Sequence, residues 1–420
     1  MRVLRGASAA RFVGKLEHRG RLSLAGVERQ VRRIVEEVRK SGDRGLRRYA
    51  EKWDGLQPRQ SISVADREME RAWNSTSDDF KQALKVAAAN IRQYCEWQKP
   101  QGWHRSLAPG IEVGQALRPL ESAGCYVPGG RHPLPSTLLM TVIPAQVAGV
   151  KQIRIVSPRP APQTLAAAFF LGIREFYRIG GAQAVAALAY GTKSVARVAK
   201  IVGPGNLFVT AAKKLVAFDC SIDFLAGPSE VVIVSDQGEP RFIAADLVAQ
   251  AEHDPQARSL FITTSPKLAQ QVAVDVMKMA ASDTTAQASL STGGAIIIAE
   301  SREQAMEFAN HIAPEHIALD DAEKDLPLIN NAGSIFIGNY SPQAAGDYAS
   351  GPNHVLPTGA TARFRGGLSV QDFLKVISVQ QLSRAGLERI APAVITLAEA
   401  EGLKAHAESI RVRCTGAQGS

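Results

Sequence analysis

Apolar residues recur along this chain in two rhythms, and the change comes near residue 120. Upstream, Val27, Val31, Ile34, Val35 and Val38 fall three or four apart, the spacing of one face of an α-helix. A helix is predicted over about 24–41, closed by Ser41-Gly42-Asp43. A second is predicted over about 77–97, through Phe80, Leu84, Ala87, Ala88 and Ile91. The stretch 99–110 carries Pro, Gly and Trp and is expected to be a loop. Residues 1 to about 120 are thus expected to be mostly helical.

Downstream, short β-branched runs alternate with helical patterns. Strands are predicted at 151–156, 199–202, 230–235, 259–264, 294–299 and 333–337. Helices are predicted between them at 164–171, 182–190, 206–217, 240–253, 267–281 and 302–310. Such alternation argues for parallel sheets in an α/β fold. The elements form two blocks, about 137–220 and 230–340, without a direct sequence repeat. From about 370 the pattern turns helical again, and the final TGAQGS is expected to be disordered.

Composition narrows the class. The 420 residues suffice for two or three domains. No apolar run of about 18 residues exists to span a membrane, and the start lacks the apolar segment of a secretion signal. The four cysteines, Cys95, Cys125, Cys220 and Cys414, form no CxxC pair, so neither a disulfide framework nor a thiolate metal site is expected. A reduced, cytoplasmic setting follows. The net charge of +9 hints at nucleic acid. Its placement weakens the hint: the first 50 residues hold 14 Lys and Arg against 5 Asp and Glu, which accounts for all of it. Those arginines lie between the apolar positions of the first helix, as its wet face.

Candidate chemistry gathers in glycine turns and polar pairs. No G-x-G-x-x-G follows the predicted strands. Other turns do: 124–130 (GCYVPGG), 180–183 (GGAQ), 203–206 (GPGN) and 227–230 (GPSE). Each alone reads as an ordinary βα loop, whereas four on one scaffold argue for a ligand cleft. Gln250 and His253 are three apart in a predicted helix and so share a face. Asp347 lies in a GDYASG loop, with His354 seven residues on. Glu315 and His316 follow a proline, and Glu401 and His406 lie in the C-terminal helical segment. Gln, Asp and two His offer nitrogen and oxygen donors of the kind that hold Zn²⁺ or Mn²⁺. By spacing alone, Gln250 and His253 read more often as surface polarity, and Glu315-His316 equally as a helix start.

These segments resemble the histidinol dehydrogenase family. The resemblance is carried by 126–150 (YVPGGRHPLPSTLLMTVIPAQVAGV), 178–192 (RIGGAQAVAALAYGT), 202–216 (VGPGNLFVTAAKKLV), 226–236 (AGPSEVVIVSD), 246–254 (DLVAQAEHD), 313–319 (APEHIAL) and 346–358 (GDYASGPNHVLPT). It runs from about 24 to 413. It departs at Arg131-His132-Pro133-Leu134, where relatives carry a small residue and an aromatic.

The resemblance implies two incomplete Rossmann-like parallel-sheet domains with small terminal segments, in an intertwined homodimer. Residues 1–23 would form an N-terminal extension. Residues 24–120 with 230–370 would form the metal and substrate domain, 121–229 the NAD domain, and 371–420 a swapped helical segment. It implies one Zn²⁺ per site on Gln250, His253, Asp347 and the partner subunit's His406. It implies catalytic Glu315 and His316, and substrate contacts at Ser229, Gln250, His253, His316, Asp347, His354, Glu401 and His406. The NAD⁺ side would comprise Tyr126, Gln183 and Asn206. The implied reaction oxidises L-histidinol through its aldehyde to L-histidine and reduces two NAD⁺, with His316 as base and Glu315 activating water. Two rivals stand: a basic nucleic-acid-binding or scaffolding protein with a degenerate site, supported by the N-terminal charge alone, and a paralogue on the same fold that oxidises another small alcohol such as a sulfonated diol. Glu401 argues against the sulfonated diol, since a carboxylate suits an ammonium and repels a sulfonate.

Overall fold

The computed structural model describes residues 1–17, 24–129 and 133–415. Gly130, Arg131 and His132 of the divergent loop, and residues 416–420 of the tail, lie outside them. The strands, in chain order, are β1 (Arg2–Arg5), β2 (Trp103–Ala108), β3 (Ile111–Pro119), β4 (Ser122–Tyr126), β5 (Gln152–Val156), β6 (Glu175–Tyr177) and β7 (Lys200–Val202). There follow β8 (Ser221–Ile222), β9 (Glu230–Val234), β10 (Arg258–Thr263), β11 (Ala295–Ile298), β12 (His316–Leu319), β13 (Ser334–Ile337) and β14 (Leu374–Leu382).

The chain divides into two compact units. The first, Met1–Gln98 with Glu121–Phe373, holds two parallel sheets, as the α/β reading expects. The larger runs β1-β11-β10-β9-β12-β13. Its inner strands β9, β10 and β11 are nearly continuous apolar runs because both faces are covered. Val232, Val234, Leu260, Ile262, Ile297 and Ile317 pack on one side with the helices Gly6–Glu17 and Arg302–Ile312. Val231, Ile233, Phe261 and Ile296 pack on the other, with Pro240–Ala251 and Pro266–Met279. The smaller sheet runs β6-β5-β4-β7-β8. Ala-rich Gly181–Tyr190, Leu207–Val216 and the amphipathic Ala25–Ser41 share its core.

The smaller sheet is entered at its middle strand β4, built outward through β5 and β6, then completed on the other side; the larger follows the same course from β9 onward, with β1 added at its far edge. The reversal lies between β9 and β12 in one sheet and between β4 and β7 in the other. Ligands of α/β proteins sit at such switch points.

The second unit, Lys99–Leu120 with Leu374–Ser420, corrects two expectations. The predicted loop and helical tail contain an antiparallel sheet, β14-β3-β2, with β14 and β3 in register from Leu374↔Pro119 to Leu382↔Ile111. Only beyond β14 is the tail helical, over Arg384–Ala400 and Lys404–Thr415. Residues 2–5, expected in an extension, pair with β11 as an edge strand.

Helix Pro135–Ala148, which the periodicity does not signal, is buried on nearly every face and so carries no amphipathic rhythm. It starts on Pro135 and ends at Gly149, whose φ of 95° gives a left-handed cap.

Candidate functional site

Two groups of predicted residues assemble in the first unit, at opposite ends of their strands. The first group lies at the amino ends of β9 and β12. Glu315 and His316 are neither surface residues nor a helix start: they open β12, 6% and 4% exposed. The β12–β9 register sets His316 opposite Val231, so Glu230 lies one residue before it on the neighbouring strand. Glu230 N donates to Glu315 Oε2 at 2.8 Å, and the Ser229 hydroxyl also hydrogen-bonds that carboxyl. Burial nevertheless pushes the Glu315 carboxyl well above the ordinary range, and the Glu230 and Asp347 charges add to the shift.

His316 Nδ1 faces the Glu230 carbonyl oxygen at 3.3 Å. Its Nε2 lies 3.7 Å from Asp347 Oδ1. Burial lowers the His316 pKa, and Asp347 offsets this in part. Asp347 comes from the short helix Gln343–Tyr348. Its carbonyl oxygen accepts from His354 Nδ1 at 2.7 Å, and Thr137 Oγ1 lies 3.3 Å from His354 Nε2. Burial lowers the pKa of His354 too, and His253 is near enough that its charge presses on both imidazoles.

Helix Pro240–Ala251 returns from β9 to the amino end of β10 and delivers Gln250 in its last turn. The helix ends two residues earlier than predicted, so His253 follows it as an exposed residue in the bend. Gln250 is 2% exposed, and its Nε2 has no hydrogen-bond partner. A buried amide left unpaired costs about 1–3 kcal/mol, so this end of Gln250 is shaped for something more than packing. Among the described residues, no three His, Cys, Asp or Glu side chains gather within range of one metal ion. Gln250, His253 and Asp347 belong to the first unit; Glu401 and His406 belong to the second.

The second group lies at the carboxyl ends of β4, β6 and β7. Tyr126 ends β4 and is buried, with Gly181 N donating to its hydroxyl at 3.0 Å. Gln183, in the first turn of Gly181–Tyr190, is 1% exposed, and its Nε2 donates to Asp54 Oδ2 at 2.9 Å. Asn206 is exposed and caps Leu207–Val216, accepting from Phe208 N and Val209 N. The 203–206 turn is tied down from below. Lys213 and Asp223 form a buried ion pair; Asp223 accepts from Gly203 N at 2.8 Å, and Lys213 donates to Gly203 O at 3.0 Å. Gly203 is required: its φ is 112°, and a Cβ there would meet Tyr126 O at 2.2 Å. Cys125, beside Tyr126, is fully buried and its thiol is pushed up to about 12, so it is no nucleophile.

Sequence reasoning missed Asp54, Thr137, Asp223, Glu230 and Gln343. Glu230 closes the 227–230 turn and Thr137 lies in the 126–150 segment, but no spacing marks the role of any of the five, because each acts through folding that brings distant segments together. No described helix is long and apolar enough to cross a membrane.

Comparison with known proteins covers nearly the whole chain. The family described as histidinol dehydrogenase matches residues 17–414. A histidinol dehydrogenase of Methanosarcina mazei is 47% identical, over 93% of this chain and 92% of its own length. That of Methanothermobacter thermautotrophicus is 46% identical, over 96% and 97%. The crystal structure of histidinol dehydrogenase from Elizabethkingia anophelis superposes with a TM-score of 0.93 at 35% identity, covering 98% of each chain.

Proposed function

Because this chain belongs to the histidinol dehydrogenase family, we propose that the cluster at the amino ends of β9 and β12 is where it oxidises L-histidinol. The family reaction is NAD-dependent and supplies the final steps of L-histidine biosynthesis: alcohol to aldehyde, then aldehyde to carboxylate. The observation that carries the assignment is the buried Glu315–His316 pair, in which one neighbouring residue, Glu230, orients both side chains.

His316 is the base of the first oxidation. With Nδ1–H held on the Glu230 carbonyl, Nε2 keeps its lone pair, and burial keeps the ring neutral. It takes the hydroxyl proton as hydride leaves the carbinol carbon. Glu315, whose raised pKa makes it a stronger base than an exposed carboxylate, then takes a proton from water to hydrate the aldehyde. Ser229, His354 and Glu401 are substrate contacts. NAD⁺ supplies the hydride acceptor for both oxidations, against Tyr126, Gln183 and Asn206. In this reading 121–229 serves the cofactor, and 24–120 with 230–370 serves the substrate.

Zinc fits the residues present. Gln250, His253, Asp347 and the partner subunit's His406 make a nitrogen and oxygen set. Gln250 supports it: turned over, its amide aims an oxygen at the space where Nε2 now lacks a partner. When bound, zinc supplies a Lewis acid that orients the substrate's imidazole and amino nitrogens. The site is thus completed in a homodimer.

The test is NADH absorbance with zinc-loaded protein, NAD⁺ and L-histidinol. Two NADH per histidinol, with histidine as product, are expected. Absence of NADH from histidinol, with turnover of another small alcohol, would reject the substrate and keep the fold.

A further inference from the structure

Helix Gly181–Tyr190 begins just past the carboxyl end of β6. An α/β fold ordinarily offers the free amides of such a helix start to an anionic group of its ligand. Here the first two are taken from within. Gly180 N donates to Asp54 Oδ2 at 2.9 Å, and Gly181 N donates to the Tyr126 hydroxyl at 3.0 Å. The same Asp54 oxygen accepts from Gln183 Nε2 at 2.9 Å. One carboxylate oxygen thus holds the backbone of the turn and a side chain on it. The turn has little room to move. A Cβ on Gly180 would meet Pro158 at 2.5 Å, and Gly181 has φ +60°.

Asp54 comes from 126 residues upstream, at the end of the helical turn Ala50–Asp54. It is 6% exposed. A helix cap is ordinarily a local, solvated residue next to the turn it closes. Asp54 is neither. Its burial holds the carboxyl above the ordinary aspartate range, against the pull of the Gly180 and Gln183 hydrogen bonds and the Arg159 charge. A buried carboxylate is costly, and a cap alone does not call for one that also grips Gln183.

We propose that Asp54 is a positioning residue for the dinucleotide: it fills the anion slot at the start of Gly181–Tyr190 and thereby holds Gln183, and through Gly181 the Tyr126 hydroxyl, in the orientation that meets the cofactor. The proposal rests on the reading of Tyr126 and Gln183 as NAD⁺ contacts. It gives a physical reason for the missing G-x-G-x-x-G turn. The amides that such a turn would offer to a diphosphate are satisfied by the protein, and the carboxylate repels a second anion. The cofactor's diphosphate is therefore seated elsewhere, and this turn meets an uncharged part of the dinucleotide.

The test compares Asp54→Asn, Asp54→Ala and Gln183→Ala in the intact protein, reading the NAD⁺ dissociation constant and the separate KM values for NAD⁺ and L-histidinol. Asparagine keeps an acceptor in place. Asp54→Ala is expected to weaken NAD⁺ by about tenfold or more, the loss of a hydrogen bond to a charged group, with the histidinol KM held within about twofold. Asp54→Asn is expected to restore NAD⁺ binding to within about threefold of wild type. Equal losses for both substrates, unchanged NAD⁺ binding in Asp54→Ala, or an asparagine variant as weak as the alanine one overturns the proposal. Gln183→Ala separates the two readings. If it weakens NAD⁺ and Asp54→Ala does not, the proposal alone fails; if neither does, the cofactor reading fails with it. Should the alanine variant not fold, amide exchange at Gly180 and Gly181 in the wild-type chain decides. Slowing by NAD⁺ supports the proposal, and no slowing overturns it.

Discussion

In the proposed alcohol oxidation His316 presents Nε2 rather than Nδ1 to the substrate, and the cause is a single carbonyl. The Glu230 oxygen holds Nδ1 at 3.3 Å, so the lone pair is left on the nitrogen that faces Asp347. A neutral, oriented imidazole is what proton abstraction from an alcohol needs. Glu315 is set apart from it by the amide of that same Glu230, which donates to Oε2 at 2.8 Å. The two residues are therefore separable by substitution. His316→Ala is expected to slow alcohol oxidation by about 10²–10⁴-fold, the usual worth of a general base. Glu315→Gln retains an oxygen for the Glu230 amide and keeps the local fold. It is expected to slow aldehyde oxidation more than alcohol oxidation. Single-turnover NADH formation, started from the alcohol and from the aldehyde, measures both; equal losses in Glu315→Gln would contradict the division of roles.

At the scale of elements, the proposed ligands are carried by two helices that do not follow one another. Gln250 and His253 depend on Pro240–Ala251, and Asp347 on Gln343–Tyr348. Gln343, 3% exposed, ties them: its Nε2 donates to Asp246 O at 3.1 Å, one turn before Gln250, while Asp347 lies one turn after it on its own helix. Gln343→Ala should leave the helices formed and loosen their spacing. Zinc affinity is expected to fall by about tenfold, as for outer-shell partners of metal ligands. Titration with zinc checks it, and unchanged affinity would show that the two helices need no clamp. Gln343 also shows what a sequence withholds. The runs at β5, β9, β10 and β11 were legible because burial on both faces demands consecutive Val, Ile, Leu and Phe. β12 was not, since four residues beginning with His316 carry no such run. β3 and β14 were not, because half-buried β3 and exposed β14 carry no apolar run and their pairing joins positions over 250 residues apart. The chemistry-bearing residues in glycine turns and polar pairs were legible. Their supports, Asp54, Glu230 and Gln343, were not, because a hydrogen bond across the fold leaves no trace in spacing.

At the scale of the molecule, the two parallel sheets use opposite ends. The smaller has its glycine turns at the carboxyl ends of its strands, whereas the larger has the buried Glu315–His316 pair at the amino ends. The carboxyl-end switch point of the larger sheet is closed. Arg302 bridges Asp236, Asp320 and Asp325, and Asp236 N donates to Asp320 Oδ2 at 2.8 Å. Three carboxylates around one guanidinium disfavour a phosphate there. Three of the proposed ligands lie in the first unit and the fourth, His406, in the second. That unit exposes Val376, Ile377 and Val379 on β14 and Leu397 on the following helix, apolar side chains of the kind that a second copy covers. If the partner subunit's His406 completes each site, defects on the two sides of the interface complement. His406→Ala and Gln250→Ala would each be inactive alone as homodimers. A hybrid of the two variants has one site with both substitutions and one with neither. Random mixing makes half the dimers hybrids, so activity is expected to return to about a quarter of wild type. Were His406 to serve its own chain, every site in the hybrid would carry one defect. Hybrids proven by mass that remain inactive would therefore place the fourth ligand within a single subunit.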